Sequence, residues 1–369
     1  MKIGFIFNTP FHILSVVEQA VSDATTAVSF LAIELAKLGH DVTVFSDNDG
    51  PAKTLGVRCC NISIRDRTLN LDSTILEPDF EVLIFKNDSP EFIISVKNSL
   101  PYKPKIYLWT SFDYNQTANN GLYSADIVTE LDGIICVSEW QRKRLRSKLQ
   151  INGEKLWVQR YAISPVYENL FANAKNFIAT SSKVPSIAYT ATQLDGLDLL
   201  LDLLDDVTNN YARATLSIYA DLSSSPDLTA QCKTHKAINI VANLTGKQLA
   251  EHLKIHTILA CPGLEEQTSN IALTEAMAAG LYVVTSRSGA ISEYCYGHGK
   301  QIAEDELCSD SLSSFVGQLL SICQTQMHSS DAFYDYCYKQ ILEINKKHTY
   351  RARAREWVDM LSTLIKVDI

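Results

Sequence analysis

The stretch EEQTSNIALTEAMAAG, residues 265–280, gathers groups that could hold a polar ligand. Thr268, Ser269 and Asn270 form a small polar turn ahead of a run with helical character, and Ile271 opens that run. The first N–H groups of a helix have no intrahelical acceptor, and with the helix dipole they attract anionic or polyhydroxyl ligands. Thr268, Ser269 and Asn270 offer side-chain donors in addition. Glu275 follows within or just after the first turn, where a carboxylate can accept two hydrogen bonds from adjacent hydroxyls such as those of a ribose. The small residues up to Gly280 let the helix lie close to a sheet. The plainer alternative is an ordinary strand-to-helix turn with an acid near the helix start. Composition alone does not separate the two.

Other constellations carry less. RKRLRSK at 142–148 puts Arg142, Lys143 and Arg146 on one helical face, which fits an anionic membrane surface or, more simply, a solvated face. His252 and His256 stand four apart, a spacing that some metal sites use. No third ligand lies nearby and His256 can fall past the helix end, so the expectation is two surface histidines and no metal. His12 follows the first strand and could act as a base, although a structural role fits a lone loop histidine better. GxGxxG, P-loop and G-x-S-x-G signatures are absent, so oxidoreductase, kinase and α/β-hydrolase readings lack support.

These residues need a scaffold, and the chain is long enough to supply two domains. It has 369 residues, 46% hydrophobic and 20% charged, which implies real cores and little disorder. A net charge of −9 argues against general nucleic-acid binding. The nine cysteines form no CxxC pair, and several sit in apolar runs such as GIICVS and ILACPG. They read as small hydrophobes, reduced, in a cytoplasmic protein. The opening MKIGFIFNTP reads as a strand, not a signal peptide, and no apolar run is long enough to span a bilayer.

KIGFIF, the helix TTAVSFLAIELAKLGH and DVTVFSD make a βαβ unit. FEVLIFK, PKIYLWTS and DGIICVS are further buried strands, and SEWQRKRLRSKLQI is a helix with Ser138 as N-cap. The alternation restarts after residues 165–185, which read as a packed crossover. PSIAYTA, the helix DGLDLLLDLLDDV, ATLSIYAD and TILACPG follow. The tail YRARAREWVDMLSTLIKV is one amphipathic helix. The expected class is α/β in two halves.

Those residues resemble a known family. EEQTSNIALTEAMAAGLYVVTSRSGAISEY is similar to the nucleotide-sugar segment of family-4 retaining glycosyltransferases of GT-B fold. DGIICVSEWQRKRL, QRYAISPVYENLF, IAYTATQLDGLDLLLDLL, LAIELAKLGHDVTVFS and the tail helix resemble further parts of that family, so the likeness covers nearly the whole chain. It implies two Rossmann-like domains facing a cleft: 1–165 for an acceptor, 166–347 for a nucleoside-diphosphate sugar, and 348–369 as a helix crossing back. It implies that Glu275 binds the ribose, and that Thr268, Ser269, Asn270, Ile271, Thr190, Arg287 and Gly289 line the donor site. No cofactor or essential metal is implied.

Several positions depart from the family. Its first Glu contacts the transferred sugar; the matching position is Gln267, with Glu266 one place early. Gln267 has no charge to stabilise an oxocarbenium-like centre. A cation that grips the diphosphate is replaced by Asp195, a glycine pair by Ser22-Asp23, and a histidine after YLWT by Phe112. Lost donors at a leaving diphosphate cost about 10²–10³-fold each in rate. Arg287 or Lys300 could take over the phosphate. The implied function is sugar transfer with retention of configuration to a glycan, lipid or protein acceptor. The alternative is a degenerate relative acting as a partner or acceptor-recognition subunit. Peripheral membrane contact would run through Arg142, Lys143 and Arg146.

Overall fold

The structure is a computed structural model that describes residues 1–9, 13, 22–47, 52–65, 68–70, 79–190, 194–303 and 312–366. The chain divides into two compact units, Met1–Ala162 with Tyr350–Ile369, and Ile163–Thr349.

The first unit holds strands β1 (Lys2–Ile6), β2 (Asp41–Ser46), β3 (Lys53–Thr54), β4 (Val57–Asn61), β5 (Ser63–Arg65), β6 (Thr68–Asn70), β7 (Val82–Lys86), β8 (Lys105–Thr110), β9 (Gly133–Cys136) and β10 (Leu156–Val158). Eight of them form one sheet in the order β10-β9-β8-β7-β1-β2-β4-β3. All its pairs are parallel except β3–β4, while β5 and β6 form a separate hairpin. The central strands are near-continuous apolar runs because both faces are covered. Gly4 is required where β1 meets β7: a Cβ there would stand 2.6 Å from Leu83 Cδ2.

The helix Asp23–Lys37 starts at Ser22, whose Oγ accepts from Thr25 N at 3.2 Å, and the chain turns away after it at Gly39 (φ +89°). The tail helix Tyr350–Lys366 packs against it. Trp357 of that helix lies edge-on to Trp109, centroids 4.9 Å apart, and beside Phe5. Ser138 caps the helix Glu139–Leu149 by accepting from Gln141 N at 3.1 Å, as its sequence position suggests.

The second unit holds strands β11 (Ser186–Thr190), β12 (Thr215–Tyr219), β13 (Ile238–Ile240), β14 (Ile258–Cys261), β15 (Tyr282–Ser286) and β16 (Lys300–Ile302). They form an all-parallel sheet in the order β13-β12-β11-β14-β15-β16. The order reverses between β11 and β14, so the loops after these two strands diverge from a shared edge. Open α/β sheets bind ligands at such a switch point. Leu197–Asn210 and Leu312–His328 bury one face of the sheet, with Leu200, Leu204, Phe315 and Leu319 in that core. Gly246–Leu253, Ile271–Ala278 and Ser330–Lys347 bury the other. The segment after residue 165 is packed: Phe171 and Phe177 are buried with Phe333 and Tyr334.

Among the described residues no helix is long and apolar enough to cross a membrane. The described cysteines, Cys59, Cys60, Cys136, Cys232, Cys261, Cys295, Cys323 and Cys337, are all buried.

Candidate functional site

The loop between β14 and the helix Ile271–Ala278 is held from three neighbouring segments. Asp195 Oδ1 accepts from Leu264 N at 3.2 Å and Oδ2 from Glu265 N at 3.0 Å. Ser286 Oγ donates to the Gly263 carbonyl, and Ser288 Oγ donates to Leu264 O at 2.8 Å. Ala290 N donates to Gln267 O at 2.7 Å. Gly289 adopts φ +59°, and a Cβ there would lie 2.4 Å from Gln267 N. Gly196 (φ +75°) approaches equally closely, since its Cβ would be 2.6 Å from Gly263 N. Leu264, Glu265 and Glu266 are exposed, so hydrogen bonds fix this loop where burial does not.

Asn270 joins the loop to the helix. Its Oδ1 accepts from Leu273 N at 3.3 Å as N-cap, while its Nδ2 donates to Gln267 Oε1 at 2.9 Å. Gln267, Thr268, Ser269 and Asn270 are half-buried, and Ile271 is buried. The helix is anchored by Leu273, Ala276 and Met277 in the core and by Thr274 Oγ1, which donates to Tyr294 O at 3.0 Å.

Glu275 stands just past the first turn and is half-buried. Its Oε1 accepts from Ser164 N at 3.1 Å, which ties the start of this unit to the helix. Burial and the Glu275 charge push the Tyr167 phenol well above its ordinary value. Glu275 therefore neither dangles in solvent nor is sealed in the core.

Thr190 ends β11, beside β14, and its buried Oγ1 has no hydrogen-bond partner among the described residues. Arg287 follows β15 with an exposed side chain that makes no ion pair among the described residues; its backbone N–H donates to Ile302 O at 2.9 Å. Lys300 opens β16, half-buried. The structure thus brings Gln267 and Asn270 into direct contact and sets Gly289 against Glu266 and Gln267. It joins Glu275 to Ser164, a partner that sequence gave no sign of. Asp195 does not face outward as a misplaced phosphate ligand; both its oxygens are taken by loop amides.

His256 corrects the expectation of two surface histidines. His252 is exposed, but His256 is 3% exposed, with Ser186 Oγ 2.7 Å from Nδ1 and the Tyr219 hydroxyl 2.7 Å from Nε2. Burial, with a smaller contribution from His252, lowers its pKa to about 4, so it is neutral. The helix that carries His252 ends at Leu253, so His256 lies beyond it, and both imidazoles meet the Tyr219 ring. No group of three metal-ligating side chains occurs among the described residues.

In the first unit, Phe112 is half-buried and donates its backbone N–H to Thr110 Oγ1 at 3.1 Å. Arg142 pairs with Glu139 at 2.7 Å, whereas Lys143 and Arg146 are exposed. Arg144 of the same helix pairs with Asp113 at 2.9 Å between the rings of Tyr114 and Trp140. His12 lies outside the described residues.

A second polar group at the end of β7 was hidden in the sequence. Lys86 is 1% exposed; its Nζ donates to Asn87 Oδ1 at 3.2 Å and lies 4.4 Å from the Trp109 ring centroid. Burial drives its pKa well down, offset in part by Asp23. Asp88 is also buried; its Oδ2 lacks a partner among the described residues, and desolvation raises its pKa to about 8.

No curated protein matches the chain. A glycosyltransferase from Rickettsia africae superposes with TM-score 0.71 at 14% identity, covering 99% of both chains. Sucrose-phosphate synthase from Thermosynechococcus elongatus gives 0.69 at 11% identity, covering 100% of both. HepE from Anabaena in complex with UDP gives 0.67 at 13% identity, over 98% of this chain and 100% of that one. The fold is GT-B. The segment that carries the pinned loop, Glu275 and Gly289, residues 184–323, matches the family described as glycosyl transferases group 1.

Proposed function

We propose that the second unit binds a nucleoside-diphosphate sugar and that the protein transfers the sugar to an acceptor with retention of configuration. The carrying observation is the half-buried Glu275 carboxylate on the helix after β14, inside the segment that matches the glycosyltransferase family. Glu275 accepts the ribose hydroxyls, with its orientation set by Ser164 N–H. The amides and hydroxyls of Thr268, Ser269 and Asn270 meet the diphosphate and sugar. Thr190, Gly289 and Arg287 complete the donor site, and Gln267 stands beside the anomeric carbon in place of an acid, with Glu266 one residue before it. The bond from the anomeric carbon to the diphosphate breaks, a bond to the acceptor oxygen forms on the same face of the sugar, and the acceptor's hydroxyl proton passes to the departing diphosphate oxygen. Arg287, exposed just past the end of β15, offsets charge on the departing diphosphate.

Structures of HepE in complex with UDP, and with UDP-glucose, support a nucleotide-sugar reading. The first unit, residues 1–165 by sequence with 348–369 returning to it, takes the acceptor. No metal or cofactor takes part. The exposed Lys143 and Arg146, with Arg142 at their side, offer a peripheral contact to anionic lipid.

A second reading has its own support. Gln267 carries no charge and Asp195 is committed to the loop, so a binding protein without turnover is the alternative. Calorimetric titration of UDP, GDP, ADP and their sugars, followed by assays of donor hydrolysis, separates the two. Micromolar binding with turnover, unaffected by a chelator, supports transfer. Binding without hydrolysis or transfer favours the partner reading. No binding of any nucleotide contradicts the donor site.

A further inference from the structure

We propose that Asp195 is a positioning residue of the donor site: its carboxylate sets the backbone of Gly263–Gln267 before the sugar nucleotide arrives. The inference rests on the donor-site reading above and assigns Asp195 a role opposite to that of a lost phosphate ligand.

The argument starts from occupancy. Both carboxylate oxygens accept from loop amides, Leu264 N at 3.2 Å and Glu265 N at 3.0 Å. Asp195 is itself fixed, because its backbone oxygen accepts from the Tyr189 hydroxyl at 2.9 Å. Tyr189 is buried in β11, so the anchor reaches back to the sheet. There is no slack around the carboxylate: a Cβ added to Gly263 would lie 2.3 Å from Asp195 Oδ2.

The loop needs such a clamp. Leu264 is 48% exposed, so little apolar burial holds it. Ser286 and Ser288 hold its carbonyls, while Asp195 holds its amides. A carboxylate accepting from two amides is a charge-assisted contact, stronger than neutral hydrogen bonds. Three residues after Leu264 comes Gln267, which contacts Asn270 at the helix start. Freeing the amides lets the loop sample other conformations, and a ligand must then pay the ordering cost on binding.

A cation at this position cannot do the same work, since an ammonium or guanidinium has no acceptor for the two amides. Restoring a basic residue is therefore expected to weaken the site.

The test compares wild type with Asp195→Ala, Asp195→Asn and Asp195→Lys. Amide exchange of Leu264 and Glu265 is read by NMR without ligand, UDP affinity by calorimetry, and the melting midpoint reports global folding. In Asp195→Ala both amides should exchange at least about 10-fold faster, and UDP should bind about 10- to 100-fold more weakly, with the rest of the fold intact. Asp195→Asn, which keeps one acceptor oxygen, should recover part of both. Asp195→Lys should bind no better than Asp195→Ala. Unchanged exchange, unchanged UDP affinity in Asp195→Ala, or tighter binding in Asp195→Lys overturns the inference while leaving the donor site standing. A wild-type protein that binds no nucleotide overturns the donor-site reading and this role with it.

Discussion

Glu275 accepts a hydrogen bond from the backbone amide of Ser164 across 111 residues of sequence. A single carboxylate thus serves the fold and, by the proposal above, the ribose. The two roles separate by substitution. Glu275→Ala leaves the Ser164 amide without this acceptor and should lower stability by about 1–2 kcal/mol, read from denaturant unfolding. Glu275→Gln keeps an acceptor oxygen and should lose less stability, while nucleotide affinity falls in both. Equal stability of Glu275→Ala and wild type would show that the contact does not matter to the fold.

Gly289 and Gly297 make a controlled pair. Both have positive φ, +59° and +83°, but a Cβ on Gly289 meets the Gln267 backbone at 2.4 Å, whereas nothing lies within 4 Å of one on Gly297. Gly297→Ala should cost only the backbone strain, about 1–2 kcal/mol, and leave nucleotide binding unchanged. Gly289→Ala adds a displaced loop, for a total of about 2–4 kcal/mol, and should remove measurable binding. Thermal melts and a UDP titration on both variants decide this.

Stability should fall on acidification through His256. Its folded pKa is about 4, below the unfolded value, so the unfolded chain takes up a proton that the folded protein refuses. The contribution is complete above the unfolded pKa near 6.5 and is lost as pH drops toward 4, by roughly 3 kcal/mol. Asp88, raised to about 8, works in the other direction: the stability its protonated form retains is lost as pH climbs toward 8. The two overlap, so variants must isolate them. The wild-type minus His256→Gln difference in unfolding free energy should carry the acid slope. A difference that is flat from pH 4 to 6.5 would refute the assignment.

Lys86 should cost the fold stability at neutral pH. Burial holds its pKa well below the ordinary value, so the unfolded chain binds the proton more tightly and stability rises with pH up to the unfolded value. Lys86→Met fits a similar stem beside Trp109 without the amine. Burial raises the pKa of Asp23, its charge partner, so that carboxyl can take up a proton once the amine is gone. The variant should be more stable at pH 7 by about 1–3 kcal/mol and show a weaker alkaline dependence. A lower unfolding midpoint would mean that the amine stabilises the end of β7.

Much of this architecture was legible in local sequence. KIGFIF, FEVLIFK and DGIICVS are strands because apolar runs buried on both faces leave a compositional mark. Ser138 and Asn270 announced helix starts by their type and position. The turn before Glu275 was visible for the same reason. What stayed hidden acts at long range. Asp195 reaches amides 69 and 70 residues away, and a backbone N–H has no residue type to betray it as a partner. A motif position that reads as charge reversal is, in the folded chain, a loop clamp. His256 looked like half of a surface pair because its burial comes from Ser186 and Tyr219, which are 70 and 37 residues away. Lys86 looked like the polar exit of a strand, yet the Trp109 and Tyr161 rings cover it.

The most direct measurement is a crystal structure of the protein with the nucleotide it binds. The account predicts the ribose hydroxyls within hydrogen-bond distance of the Glu275 carboxylate, and phosphate oxygens at the turn formed by Thr268, Ser269 and Asn270. A nucleotide seated elsewhere on the second unit, out of reach of Glu275, would contradict it.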